Sequence, residues 1–224
     1  MSAMQSTAAT LDDTVSRHDR LHKLISVLFE PSILGTPFIF VVVYTRRHLF
    51  ALDLQTVYLL LSFFGAVMPI TYTIVLYKLG LISSLFYSRR RDRMYFYPLL
   101  IFSELNVFFL FSYVSSSRAL MAAAFAALAV STGLAALTFW HKISYHLAGL
   151  GGALSIAVAL VGWPGFVLLP IMPLVAYSRV RLREHSWFEV TLGGVYGIVV
   201  AAAAFRWFSA RGDWILAWLP HWRP

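Results

Sequence analysis

Long apolar runs separated by short polar breaks dominate the chain. Most are close to the roughly 20 residues that a helix needs to cross the hydrocarbon core of a bilayer. The pattern predicts spans at 33–51, 55–80, 94–115, 119–139, 144–163, 165–179 and 188–208. Arg46 and Arg47 weaken the first, and the sixth is short and carries Pro170 and Pro173, so six spans and seven are both open. The expected fold class is all-α: a polytopic transmembrane helical bundle, with no separate soluble domain.

Ahead of the first run the periodicity changes. Leu21, Leu24, Ile25, Leu28 and Phe29 follow i, i+3, i+4, i+7, i+8 spacing, with Arg17, His18, Arg20, His22 and Lys23 at the other positions. That pattern predicts an amphipathic helix over 17–30 lying in the membrane interface and ending near Glu30-Pro31. Residues 1–16 are polar, lack the apolar core of a signal peptide, and are expected to be disordered. A single transmembrane domain is expected over 17–210, with an interfacial tail at 211–224.

Composition agrees with this reading. The chain is 59% hydrophobic and only 12% charged, and its mean hydropathy is +0.73, too apolar to cover a water-soluble surface. Cysteine is absent, which excludes disulfides, thiolate nucleophiles and cysteine metal sites. The formal charge of +8 suits anionic headgroups or phosphate, or serves as topology signalling. The arginines sit at helix ends and form no basic face of a soluble module, so nucleic acid is not an expected partner. Alanines at 119–129 and 201–204 predict close helix packing. The tryptophans near span ends read as an interfacial belt, and His18, His22, His48 and His221 as interfacial histidines.

Three polar clusters interrupt the apolar pattern. The first is Ser88-Arg89-Arg90-Arg91-Asp92-Arg93, the second His141-Lys142-Ile143-Ser144-Tyr145-His146, and the third runs from Ser178-Arg179 through Glu184-His185 to Glu189. Two spans separate the first from the second, and two more separate the second from the third. Chain direction reverses at each crossing, so an even number of spans returns all three clusters to one membrane face. Taken singly, Arg89, Arg91, Arg181 and Arg183 read as interfacial anchors. Glu104, in the middle of a span, must face the bundle, because a carboxylate there is costly without a partner. The larger share of the 18 Lys and Arg lies on the cluster face, which puts that face in the cytoplasm by charge asymmetry.

The spacing within these clusters resembles the type 2 phosphatidic acid phosphatase superfamily of membrane lipid phosphatases, in its divergent bacterial branch. Ser178-Arg179, five residues, His185, three residues and Glu189 match the family's third motif, with glutamate for aspartate. Ser144 and His146 match the serine and histidine of its Pro-Ser-Gly-His motif, with Tyr145 in place of glycine. Arg90 and Arg93 stand where the family's first motif has its cations, although the proline comes late, at Pro98.

The resemblance implies a membrane-embedded phosphatase acting on a lipid phosphate or a polyprenyl (di)phosphate through a phosphohistidine. In that scheme His185 is the nucleophile, Glu189 supports its ring and His146 protonates the leaving alcohol. Arg179, Arg90, Arg93, Lys142, Ser144 and Ser178 bind the phosphate, and no metal or other cofactor is called for. The implied partners are the bilayer and a phosphorylated lipid, and the implied location is the bacterial inner membrane. The rival reading is a catalytically degenerate relative that binds lipid or supports a membrane complex. Transfer of the phosphate to a second alcohol is a further alternative.

Overall fold

A computed structural model of the chain describes residues 19–85, 87, 90–115 and 117–219, apart from the side chains of Ser32 and Arg90. The expected disorder at 1–16 and the end of the C-terminal tail lie outside the described residues, as do His18 and His221. The described chain is an all-α bundle. Helix α1 covers 19–28, followed by α2 (Pro31–Thr45), α3 (Leu54–Lys78), α4 (Arg90–Val114), α5 (Arg118–Thr138), α6 (Tyr145–Val161), α7 (Ile171–Arg181), α8 (Trp187–Arg211) and a short α9 (Asp213–Leu216).

Six stretches among the described residues are long and apolar enough to cross a membrane, and α6, at 17 residues, is a shorter apolar helix beside them. Two predicted spans are broken rather than uniform. The first stops at Thr45, and a 3-10 turn at Arg47–Leu49 follows, where Arg46 donates to the Leu160 carbonyl at 2.5 Å. The sixth begins as a 3-10 turn at Trp163–Leu168 and continues as α7. Pro164, Pro170 and Pro173 lack amide hydrogens, which explains why a regular α-helix does not run through this stretch.

Local chemistry sets the helix starts. Asp53 accepts from the Thr56 amide at 2.9 Å to cap α3. Ser144 caps α6, and Ser186 with Glu189 forms a reciprocal capping box on α8. Inside α3 the residues Phe63–Val67 widen into a π-turn. The Met68 amide reaches back to the Phe63 carbonyl, and the next carbonyl, of Phe64, would need the amide hydrogen that Pro69 does not have. The Ser103 hydroxyl of α4 fills that vacancy by donating to Phe64. One residue on, Glu104 accepts from Ser131 at 2.7 Å, so the carboxyl in mid-span faces the bundle as expected. Glu104 lines an apolar cavity of about 230 Å³ walled by α2, α4, α5 and α6.

Glycine sets the closest helix pair, α6 against α8. A Cβ on Gly193 would meet the Ser144 carbonyl at 2.6 Å, and one on Gly197 would run into the Ala148 backbone. Backbones can approach this closely only where no side chain stands between them. The pair carries His146 at the start of α6 and Glu189 in the first turn of α8, so the glycines fix the distance between those two residues. The alanine-rich α5 packs as predicted, with Ala122, Ala124 and Ala126 buried.

Gly193→Ala should therefore force α6 and α8 apart and cost about 1–3 kcal/mol, the usual penalty of overpacking. Gly35→Ala, where an added Cβ meets nothing within 4 Å, should be neutral or slightly stabilising. Thermal unfolding of the two variants in one detergent checks this, and equal midpoints would remove the packing argument.

Candidate active site

The segments that precede α4, α6 and α8 meet at one end of the bundle, against the last turn of α7. The even-span argument thus holds for the parts of the three clusters that the structure describes. Arg93, in the first turn of α4, is 3% exposed and donates from Nε to the Tyr87 carbonyl at 3.0 Å and from Nη1 to the Ile143 carbonyl at 2.7 Å. Its Nη2 lies 3.3 Å from His185 Nε2. Arg179, in the last turn of α7, is 1% exposed.

The turn from α7 to α8 doubles back on itself. Glu184 and His185 both donate their amides to the Arg179 carbonyl, at 3.1 and 3.3 Å, and Arg183 takes a φ of 56° to make the reversal. This fold-back seats His185, at 6% exposure, beside the arginines. Glu189 then holds the ring from one turn into α8, with Oε2 at 2.8 Å from His185 Nδ1. The same oxygen accepts from the Ser186 amide, so helix capping and ring orientation share one carboxylate. With Arg93 as the donor to Nε2 and Glu189 as the acceptor at Nδ1, the assigned tautomer carries its proton on Nδ1. Burial, then the charges of Arg93, Arg179 and Lys142 and the neighbouring His146, hold the His185 imidazole far below 6.5, at about 2. The ring is neutral, and its lone pair is on the nitrogen that faces the arginines.

His146 lies in the first turn of α6, buried, with Nε2 making no hydrogen bond among the described residues. A cavity of about 220 Å³ brings these groups together, lined by Arg93, His146, Arg179 and His185, by Glu30, and by aliphatic residues that include Val27, Ile74 and Leu85. Those three aliphatic residues are exposed on the outer surface of the bundle. One space is therefore bordered both by two buried guanidiniums and two imidazoles and by exposed aliphatic groups.

The remaining expected site residues have other placements. The Arg90 side chain lies outside the described residues. Lys142 donates Nζ to the Glu184 carbonyl at 2.6 Å and sits 4.0 Å from Glu189, bracing the His185 loop from the side. Ser144 caps α6 by accepting from the Leu147 amide. Ser178 donates its hydroxyl to the Leu174 carbonyl at 3.0 Å. None of these three side chains lines the cavity. Tyr145, which stands where the related motif has glycine, packs edge-on against Phe96, with ring centroids 5.1 Å apart. It forms a wall shared by this cavity and the apolar one that holds Glu104. Among the described residues no group of three His, Asp or Glu side chains is arranged to hold a metal ion.

Two residues were not visible as site residues in the sequence. Tyr87 adopts a φ of 51°, gives its carbonyl to Arg93 and bonds Thr73 through its hydroxyl at 2.6 Å. Burial pushes that hydroxyl up to about 12, so it remains protonated. A loop tyrosine in a left-handed conformation has no spacing signature. The second is His22, whose expected interfacial position is corrected: it is buried, at 8% exposure, with Nδ1 3.2 Å from Ser178 Oγ. Of the five residues in the expected apolar stripe, Leu21, Leu24 and Leu28 are about half exposed, whereas Ile25 and Phe29 pack against the bundle. Of the expected polar face, Arg20 and Lys23 are exposed and His22 is buried. Comparison of the chain with protein-family models, with curated proteins and with solved structures finds no match.

His185 should stay neutral through the range where an ordinary histidine titrates. ¹⁵N-histidine NMR in micelles, with His185→Asn to assign the resonance, checks this. A ring titrating at its unperturbed value of about 6.5 would mean that the cations do not surround it. Glu189→Gln should preserve the α8 cap yet weaken the charge-assisted contact to Nδ1. Its effect should appear in that resonance rather than in the unfolding midpoint.

Proposed function

We propose that the protein is a membrane-embedded phosphatase of lipid phosphates or polyprenyl (di)phosphates, working through a phosphohistidine. The observation that carries this reading is one cavity lined both by two guanidiniums and two imidazoles and by exposed aliphatic residues. A phosphate on a hydrocarbon chain matches both kinds of lining. The resemblance of the three clusters to type 2 phosphatidic acid phosphatases supports the same assignment. The larger share of Lys and Arg on the site face favours a cytoplasm-facing site, in a bacterial inner membrane.

The mechanism follows from the placement of the groups. The substrate phosphate enters with its oxygens toward Arg93 and Arg179, whose planar guanidiniums match paired oxygens. Arg93 Nη2 turns from the His185 lone pair to a phosphoryl oxygen, which frees Nε2 to attack phosphorus. The bond from phosphorus to the lipid oxygen breaks as the nitrogen–phosphorus bond forms, and protonated His146 gives its proton to the departing alkoxide. Glu189 stabilises the positive charge that builds on the His185 ring. Water then attacks the phosphohistidine and loses a proton to His146, releasing inorganic phosphate and restoring neutral His185. The arginines supply the charge stabilisation that preorganised donors give in a dry site.

Purified protein should release phosphate from a panel of lipid phosphates, resist chelators and be inhibited by vanadate. His185→Ala should abolish turnover. His146→Ala should lose less activity with a phenolic phosphate, whose leaving group needs little help, than with an alkyl one. Turnover unaffected by His185→Ala, or a strict requirement for added metal, would overturn the assignment. Folded protein that binds vanadate without turning over any phosphorylated lipid would indicate the catalytically degenerate alternative.

A further inference from the structure

We infer that α1 is part of the active site rather than only a membrane-surface anchor, and that His22 is a positioning residue for the Ser178-Arg179 turn. The helix has two faces. Leu21, Leu24 and Leu28 point outward, each about half exposed. His22 and Ser26, one turn apart, are buried on the opposite side, where Ile25 and Phe29 pack against Leu147, Leu150, Val175, Ala176 and Val190. That apolar group spans α6, α7 and α8, the helices that carry His146, Arg179 and Glu189.

A polar contact leads from α1 to the helix that carries Arg179. His22 Nδ1 meets Ser178 Oγ at 3.2 Å, and its ring stands edge-on to Tyr177 at 5.5 Å. The direction of the His22 contact follows from the serine. Ser178 already gives its hydroxyl proton to the Leu174 carbonyl, so His22 must donate from Nδ1 to the serine oxygen. The proton on His22 is thereby fixed to Nδ1, and the serine is held from two sides. Arg179 is the next residue, and a guanidinium that must meet phosphate oxygens tolerates only a fraction of an ångström of drift. His22 thus acts through the backbone of the turn rather than by touching phosphate.

The atom-level assignment gives a selective test in the full-length protein. Asparagine places an amide N–H where histidine has Nδ1, whereas glutamine places it nearer Nε2. His22→Leu and His22→Gln should raise KM for a lipid phosphate and Ki for vanadate by about tenfold, a typical loss for one buried hydrogen bond, with most of the effect on KM rather than kcat. His22→Asn should restore most of that loss. His22→Leu combined with Ser178→Ala should cost no more than the worse single change. Equal behaviour of Asn, Gln and Leu, or strict additivity with Ser178→Ala, would overturn the inference.

The kinetic readout rests on the phosphatase assignment, so stabilisation by vanadate in thermal unfolding serves as a readout independent of turnover. If His185→Ala matches the parent in turnover while vanadate still stabilises the parent, the assignment fails and the His22 series is judged on that stabilisation alone. If vanadate stabilises His22→Gln as well as it does the parent, the inference fails whatever the fate of the assignment. Absence of both turnover and vanadate stabilisation overturns the two together.

Discussion

Burying a guanidinium in a helical bundle is costly unless its donors are satisfied, and Arg93 lowers that cost by tying three segments together. One nitrogen holds the loop before α4 through the Tyr87 carbonyl, a second holds the segment before α6 through Ile143, and a third reaches His185 ahead of α8. These connections are far apart in sequence, and each by itself would be a surface turn. The buried charge makes them one structure. The left-handed backbone at Tyr87 is explained by the same constraint, because strain of this kind persists where surrounding bonds over-determine it.

What the sequence revealed and what it hid divide along physical lines. Span positions were legible because lipid imposes length and composition on any helix that crosses it. The shared face of the polar clusters was legible from the reversal of direction at each crossing. The pairing of His185 with Glu189 was legible because residues four apart on a helix are neighbours, although here the histidine lies in the turn before α8 and the capping box makes the connection. Lys142, Ser144 and Ser178 share the clusters but not the cavity. Short-range spacing cannot distinguish a phosphate donor from a loop brace, a helix cap or a back-bonded serine. The break of α2 at Thr45 and the 3-10 start ahead of α7 depend on prolines and on the Arg46 contact, which hydropathy averages away.

His22 illustrates a different limit. A helix with one apolar stripe is ordinarily read as apolar side to lipid and polar side to water. That reading assumes that nothing polar waits on the protein side. Here the bundle presents a serine hydroxyl and an apolar group from α6, α7 and α8, so the inner side of α1 packs against protein. Periodicity groups Ile25 and Phe29 with the outer leucines, and only tertiary structure shows that those two turn inward.

The electrostatics of the site explain why its parts are arranged as they are. Arg93 and Arg179 put two buried cations beside the ring, and their field adds to burial in keeping His185 unprotonated. A neutral ring retains the lone pair that a nucleophile needs, so the groups that would bind phosphate also keep the attacking nitrogen available. In the proposed mechanism an arriving phosphate dianion would offset the two guanidiniums and draw the Arg93 donor away from Nε2. The lone pair would then be free at the moment when phosphorus is within its reach. On this proposal one set of cations serves twice, first by keeping the nucleophile neutral and then by holding the group it attacks.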